Sequence, residues 1–211
     1  MRVHLYEGGL TSLVAHSGVG QAICHQRAML AQAGVEQADG WRGRADAVHI
    51  NTVLPDAPLA ALRARLRGET VVWYGHSTME DFRESFVGSN RLAPLFRRWL
   101  CFCYGLADVV VTPTPYSRRI LEGYGLKKPV YALSNGVDTE FFAPDPTRGA
   151  AWRAGWQQRP GQKLVISVGH FMERKGILEF IDLARTLPEA RFVWYGYTSP
   201  ALVAEPVRAA M

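Results

Sequence analysis

The sequence predicts an α/β protein, with one parallel-sheet domain over residues 1–160 and the first β-α-β unit of a second over 161–211. Three observations predict it. Short apolar, β-branched runs alternate with longer segments of helical spacing, the pattern that builds parallel sheets through helical crossovers. Turns bearing Gly, Ser or Asn follow several of the runs, at the strand ends where such sheets carry ligands. Residues 164–196, LVISVGHFMERKGILEFIDLARTLPEARFVWYG, pass through strand, turn, helix and strand after a Pro- and Arg-containing linker.

Residues 2–6 alternate as the first strand. A loop ending in His16-Ser17-Gly18-Val19-Gly20 follows, and then Ala22, Ile23, Gln26, Met29 and Leu30 recur at helical spacing up to Gly34. Gly18 and Gly20 would let a ligand approach the backbone at a helix N-terminus, although GxG serves a sharp turn equally well. Residues 47–51 (AVHIN) form a second strand and 57–66 a helix rich in Ala, Leu and Arg. The strand 70–74 (TVVWY) enters Gly75-His76-Ser77-Thr78. By the strand-end rule Gly18, Asn51 and His76 share one rim.

The segment 79–90, MEDFRESFVGSN, is too polar for a strand and too glycine-poor for a linker, so an ordered functional loop is expected. In 91–104, RLAPLFRRWLCFCY, the cations Arg91, Arg97 and Arg98 stand among apolar and aromatic residues including Trp99. That mixture suits a helix resting on an anionic bilayer and equally a core helix whose arginines snorkel. Residues 108–112 read as a strand, Thr114-Pro115-Tyr116-Ser117 opens a helix that stops at Gly125, and 129–133 is a further strand. Residues 144–160 are a short helix and linker, with the domain boundary near Gly161.

In the second unit, Arg174 and Lys175 sit just ahead of a helix, where free N–H groups already favour an anion such as phosphate. Solvated surface charges are the alternative. A net charge of +5 suits an anionic partner in general: a nucleotide, an acidic membrane surface or nucleic acid. A parallel sheet without a nucleic-acid-binding motif argues against the last. The three cysteines, Cys24, Cys101 and Cys103, match neither a disulfide framework nor a zinc spacing, which points to free thiols in a reducing cytoplasm. No secretory leader is visible after Met1 and no run reaches spanning length, so a soluble or peripheral protein is expected.

Taken together, Ser134-Asn135-Gly136-Val137-Asp138, Phe142-x-Pro144, Val168-Gly169 and Arg174-Lys175-Gly176 resemble glycosyltransferase family 4, of the two-domain GT-B architecture. A narrower likeness is to Gram-positive enzymes that extend glucosyl-diacylglycerol with a hexose. It rests on His16 to Gly20, His49-Ile50-Asn51-Thr52, Gly75-His76-Ser77-Thr78-x-Glu80-Asp81-Phe82-Arg83-x-Ser85-Phe86, Thr112-Pro113-Thr114-x-Tyr116-Ser117 and Glu173-Arg174-Lys175-Gly176.

The resemblance implies a complete Rossmann-like acceptor domain, an incomplete second Rossmann-like domain, and retaining transfer of a hexose from a UDP-sugar to a membrane glycolipid. It places Gly18 and Gly20 against the donor phosphate and acceptor, and His76 at the donor sugar near the reacting centre. Arg174 and Lys175 are placed on the diphosphate. Asn51, Glu80, Asp81 and Arg83 fall on the acceptor side, while the membrane contact of Arg91, Arg97, Arg98 and Trp99 rests on composition, with the core-helix reading beside it. Neither metal nor cofactor is expected, and the location implied is the cytoplasmic face of the cell membrane. Leaving diphosphate builds negative charge, which fixed cations stabilise without a proton transfer. Two departures stand out. His170 occupies a position where many members have arginine, and the family's paired glutamates belong beyond the fifteen residues that follow Gly196. A non-catalytic fragment that binds membrane or a partner is therefore the competing expectation.

Overall fold

The computed structural model describes residues 1–9, 18–38, 40, 43–156, 158, 159 and 161–211; His16 and Ser17 of the first glycine turn, and Pro160 of the linker, lie outside them. The chain divides into two compact units, Met1–Met79 with Pro94–Asp138, and Glu80–Ala93 with Thr139–Met211.

The first unit is a parallel sheet of six strands in the order β2-β1-β3-β4-β5-β6. The strands are β1 (Arg2–Tyr6), β2 (Glu36–Gln37), β3 (Ala47–Ile50), β4 (Thr70–Tyr74), β5 (Val109–Thr112) and β6 (Val130–Ala132). Helices α1 (Gly18–Gln32), α2 (Ala57–Leu66), α3 (Met79–Phe82), α4 (Ser89–Gly105) and α5 (Pro115–Glu122) lie between them in the chain. Strand β2 escapes sequence reading because two residues show no alternation; it forms because Gly34 turns the chain with φ +66° and lays Glu36 beside Arg2. Of the segment 79–90, the first residues form α3 and the last two open α4.

Strand registers align Tyr6, Ile50, Trp73, Val110 and Val130 in one cross-sheet row. All five are buried, and they pack with Ala57, Ala61 and Ala64 of α2, Leu100, Cys103 and Tyr104 of α4, and Leu121 of α5. The alanines of α2 let that helix approach the strands closely, while the side chains of Trp73 and Tyr104 meet edge to face at 6.1 Å. Two indoles fix the turn after β3: Trp73 Nε1 donates to the Thr52 carbonyl at 3.1 Å and Trp99 Nε1 to that of Val53 at 2.7 Å. The opposite sheet face alternates through Leu5, His49 and Val72, and α1 reaches it. The start of α5, where Thr114-Pro115-Tyr116-Ser117 is expected to open a helix, is a capping box, with Thr114 Oγ1 accepting from Ser117 N and Ser117 Oγ from Thr114 N.

The second unit contains α6 (Pro146–Gly155), β7 (Leu164–Val168), a 3-10 turn (Glu173–Lys175), α7 (Ile177–Thr186), β8 (Arg191–Tyr195) and α8 (Glu205–Ala210). Strands β7 and β8 pair in parallel, and Ile177, Val203 and Val207 form a small core with Phe171, Ile181 and Trp194. Sequence reading put residues 139–160 before a boundary near Gly161; the compact unit takes them in. The contacts are visible. Trp152 and Trp156 both donate to the Tyr195 hydroxyl, at 3.1 and 3.2 Å, and Arg191 donates to the Trp156 carbonyl at 2.7 Å.

Candidate active site

Asn51 follows β3 and His76 follows β4, so parallel neighbours deliver both to the same sheet edge. Asn51 is 2% exposed. Its Oδ1 accepts from Gln26 Nε2 at 2.7 Å and lies 3.1 Å from His76 Nε2, while its Nδ2 donates to Gln26 Oε1 at 3.2 Å. An oxygen on Asn51 requires the proton on His76 Nε2, which leaves Nδ1 as the acceptor nitrogen. Gly75 brings the histidine here. A Cβ on it would stand 2.8 Å from Leu121 Cδ1, and its N–H donates to the Val111 carbonyl at 2.6 Å. The Tyr74 ring stacks against His76 with centroids 6.0 Å apart.

Burial lowers the pKa of His76, and of His49 on β3, from the ordinary 6.5 to about 4, and lowers that of His4 as well. His76 is thus neutral near pH 7, able to accept and to donate one hydrogen bond but not to serve as a fixed cation. For stability the sign is clear. Between pH 6.5 and 4 the unfolded chain binds more protons than the folded one, so stability is full above that window and falls as pH drops through it. The urea midpoint is expected to be lower at pH 5 than at pH 7.5, with a smaller drop in His49→Gln. Equal midpoints in the unchanged protein would contradict the burial argument.

Gln26 and His25 are functional candidates that sequence reading did not single out. Gln26 carried a signal, an amide on the apolar stripe of α1. His25 carried none, yet its Nδ1 lies 3.2 and 3.1 Å from the carbonyls of Asn135 and Gly136 and ties the Ser-Asn-Gly turn to α1. Gly18 and Gly20 lie within the first turn of α1 instead of ahead of it. Among the described residues a Cβ on Gly18 meets nothing within 4 Å. A cavity of about 550 Å³ opens at the end of β1, one strand from Asn51, lined in part by Tyr6, Glu7, Gly8, Arg27 and Gln37.

In the second unit the Lys175 stem lies over Gly169, where a Cβ would touch its Cγ at 3.6 Å. The exposed Lys175 stands at the end of β7 with its 3-10 turn and Gly176, φ +75°, leading into α7. Arg174, expected beside it on phosphate, faces the segment 80–93 instead: its Nε donates to Ser85 Oγ at 2.9 Å and Nη1 is 3.8 Å from Asp81 Oδ1. His170 is turned to the Tyr197 carbonyl at 2.6 Å. Glu80 and Arg83 are exposed.

The four residues read as a membrane contact separate into two pairs. Arg91 and Arg98 are exposed. Arg97 sits over the Tyr124 ring at 4.9 Å and donates to the Gly123 carbonyl, and Trp99 is bound to Val53, so these two face the body of the protein. Among the described residues no group of three or more His, Cys, Asp or Glu could hold a metal ion, and no helix is long and apolar enough to cross a membrane.

Residues 18–141 match Glycosyltransferase Family 4. The chain belongs to this family. As a family 4 chain it is 38% identical over 200 residues to a processive diacylglycerol alpha-glucosyltransferase of Acholeplasma laidlawii, covering 94% of this chain and 59% of the relative. It is 26% identical over 155 residues to the alpha-galactosylglucosyldiacylglycerol synthase of Streptococcus pneumoniae, covering 72% and 41%. The family 4 chain therefore spans about three fifths or less of these relatives' lengths. Its fold is similar to that of Anabaena HepE, solved with UDP-glucose, at a TM-score of 0.55 and 16% identity over 97% of this chain and 62% of that one.

Proposed function

We propose that the protein to which this chain belongs transfers a hexose, with retention, from a UDP-sugar to a glucosyl-diacylglycerol-type membrane lipid. The observation that carries the reading is the 38% identity to a diacylglycerol glucosyltransferase across 94% of the chain. The site chemistry supports it. A neutral histidine held by Asn51 suits a hydrogen bond to a sugar hydroxyl, and Lys175 at the end of β7 suits the charge that develops on a departing diphosphate. In this reading the reaction needs no metal. The full-length protein with anionic liposomes, glucosyl-diacylglycerol and UDP-hexoses is expected to release UDP and to form a product with the donor's anomeric configuration, read by NMR. Absence of UDP release with every common donor would sink the proposal.

Attachment to the cytoplasmic membrane face belongs to the same proposal. Exposed Leu59, Leu62 and Leu66 line one side of α2, and exposed Leu95 and Phe102 line α4, near the cations Arg91 and Arg98. Apolar groups with flanking arginines suit an anionic interface, each arginine contributing about 1 kcal/mol. Arg91→Glu with Arg98→Glu is expected to weaken vesicle binding at least about tenfold. Arg97→Glu should act mainly on stability, because its guanidinium packs on Tyr124. Undiminished sedimentation of the double variant with phosphatidylglycerol vesicles would remove α4 from the interface.

A further inference from the structure

Arg174 belongs to the turn after β7 and Ser85 to a segment nearly ninety positions earlier, yet the two meet within the second unit. The segment is held from several sides. Ser85 Oγ donates to the Asp81 carbonyl at 2.6 Å and accepts from Arg174 Nε at 2.9 Å, a pattern that uses its single proton once. Glu84 has φ +55°, a left-handed backbone that a side-chain-bearing residue disfavours, and its N–H donates to Asn90 Oδ1 at 3.1 Å. Phe82 and Phe86 meet edge to face at 5.1 Å. A loop strained at its centre keeps one shape only when surrounding groups fix it. Arg174 is a long-range member of that set, its guanidinium reaching the Ser85 hydroxyl and the Asp81 carboxylate together.

We propose that Arg174 is a positioning residue for 80–93, setting the shape in which Glu80, Asp81 and Arg83 meet the acceptor head group, while Lys175 takes the diphosphate. The two adjacent cations then have different duties. Lys175 serves the leaving group, and Arg174 fixes the loop that reads the sugar-lipid hydroxyls. The acceptor half of this inference rests on the glycolipid-transferase reading; the loop-fixing half does not.

The test uses the full-length protein. In Arg174→Ala, amide exchange over 80–93 should quicken about three- to tenfold, the range for losing one charge-assisted contact at a partly exposed site. Ser85→Ala should do the same and Arg174→Lys, which keeps charge without the fork, should recover only part. Lys175→Ala should leave exchange there unchanged. With UDP-hexose and glucosyl-diacylglycerol in mixed micelles, Arg174→Ala should raise KM for the lipid about fivefold and leave KM for the donor within about twofold, the reverse of Lys175→Ala. Unchanged exchange over 80–93, or a donor KM that rises as it does in Lys175→Ala, overturns the assignment. An enzyme that transfers nothing overturns the functional reading alone, because exchange is read without turnover.

Discussion

His76→Ala is expected to cut sugar transfer by the full-length protein about a hundredfold, the scale on which one preorganised polar contact at a reacting centre is felt. The imidazole is already oriented before substrate arrives. Gln26 and Asn51 form a closed amide pair, Asn51 Oδ1 takes the Nε2 proton, and the Tyr74 ring lies alongside. Most of the loss should fall on kcat, since the group is held for one orientation and not for gross affinity. Gln26→Leu is the sharper control. It removes a buried side chain, 4% exposed, whose amide holds Asn51, and so frees Asn51 to rotate; transfer should fall about tenfold with the thermal midpoint changed by only a few degrees. Because burial keeps His76 neutral down to about pH 4, its loss should not move a rate transition near pH 6.5. Near-normal transfer in His76→Ala would return the residue to a purely structural role.

Gly196→Ala should be the most damaging small substitution in the second unit, costing about 3 kcal/mol. A Cβ there would stand 1.8 Å from the Gly169 carbonyl oxygen and 2.8 Å from its carbon, and backbone cannot yield as a side chain can. Gly169 is itself held, with its N–H on the Tyr195 carbonyl and its carbonyl on Trp194 Nε1 at 2.8 Å. Relief would have to come from parting β7 and β8, which would also displace Lys175 from the strand end. Gly155→Ala, where among the described residues a Cβ meets nothing within 4 Å, is the matching control and should be neutral or slightly stabilising. Urea unfolding followed by tryptophan fluorescence reads both. An unfolding midpoint in Gly196→Ala equal to that of the unchanged protein would show that the two strand ends have room to separate.

Local chemistry is what the sequence carried best. The bounds of β1, α2, β4 and β7 coincide with the expected runs, because each is a compact apolar or alanine-rich segment closed by glycine or a charged residue. The helix start at Thr114-Pro115-Tyr116-Ser117 was legible in four consecutive residues, and α5 begins there. Strand-end placement of Asn51 and His76 followed from strand and helix alternation alone. What failed to show was everything without a local signature. Strand β2 has only two residues, α8 follows the last expected strand as six, and His25 contacts Asn135 and Gly136 across more than a hundred positions.

By itself, then, the sequence determined the α/β class and the strand ends at which Asn51 and His76 stand. Periodicity and turn chemistry are short-range properties, written within a few residues of where they act. Only the tertiary structure decided which polar group serves which neighbour. It closed the amide of Asn51 onto Gln26 and His76, turned Arg97 inward onto Tyr124 while leaving Arg98 exposed, and placed Arg174 on Ser85 and Asp81. Hydrogen bonds and ion pairs act over about 3–4 Å, and which groups come that close depends on how distant segments pack, a property that no window of the sequence contains.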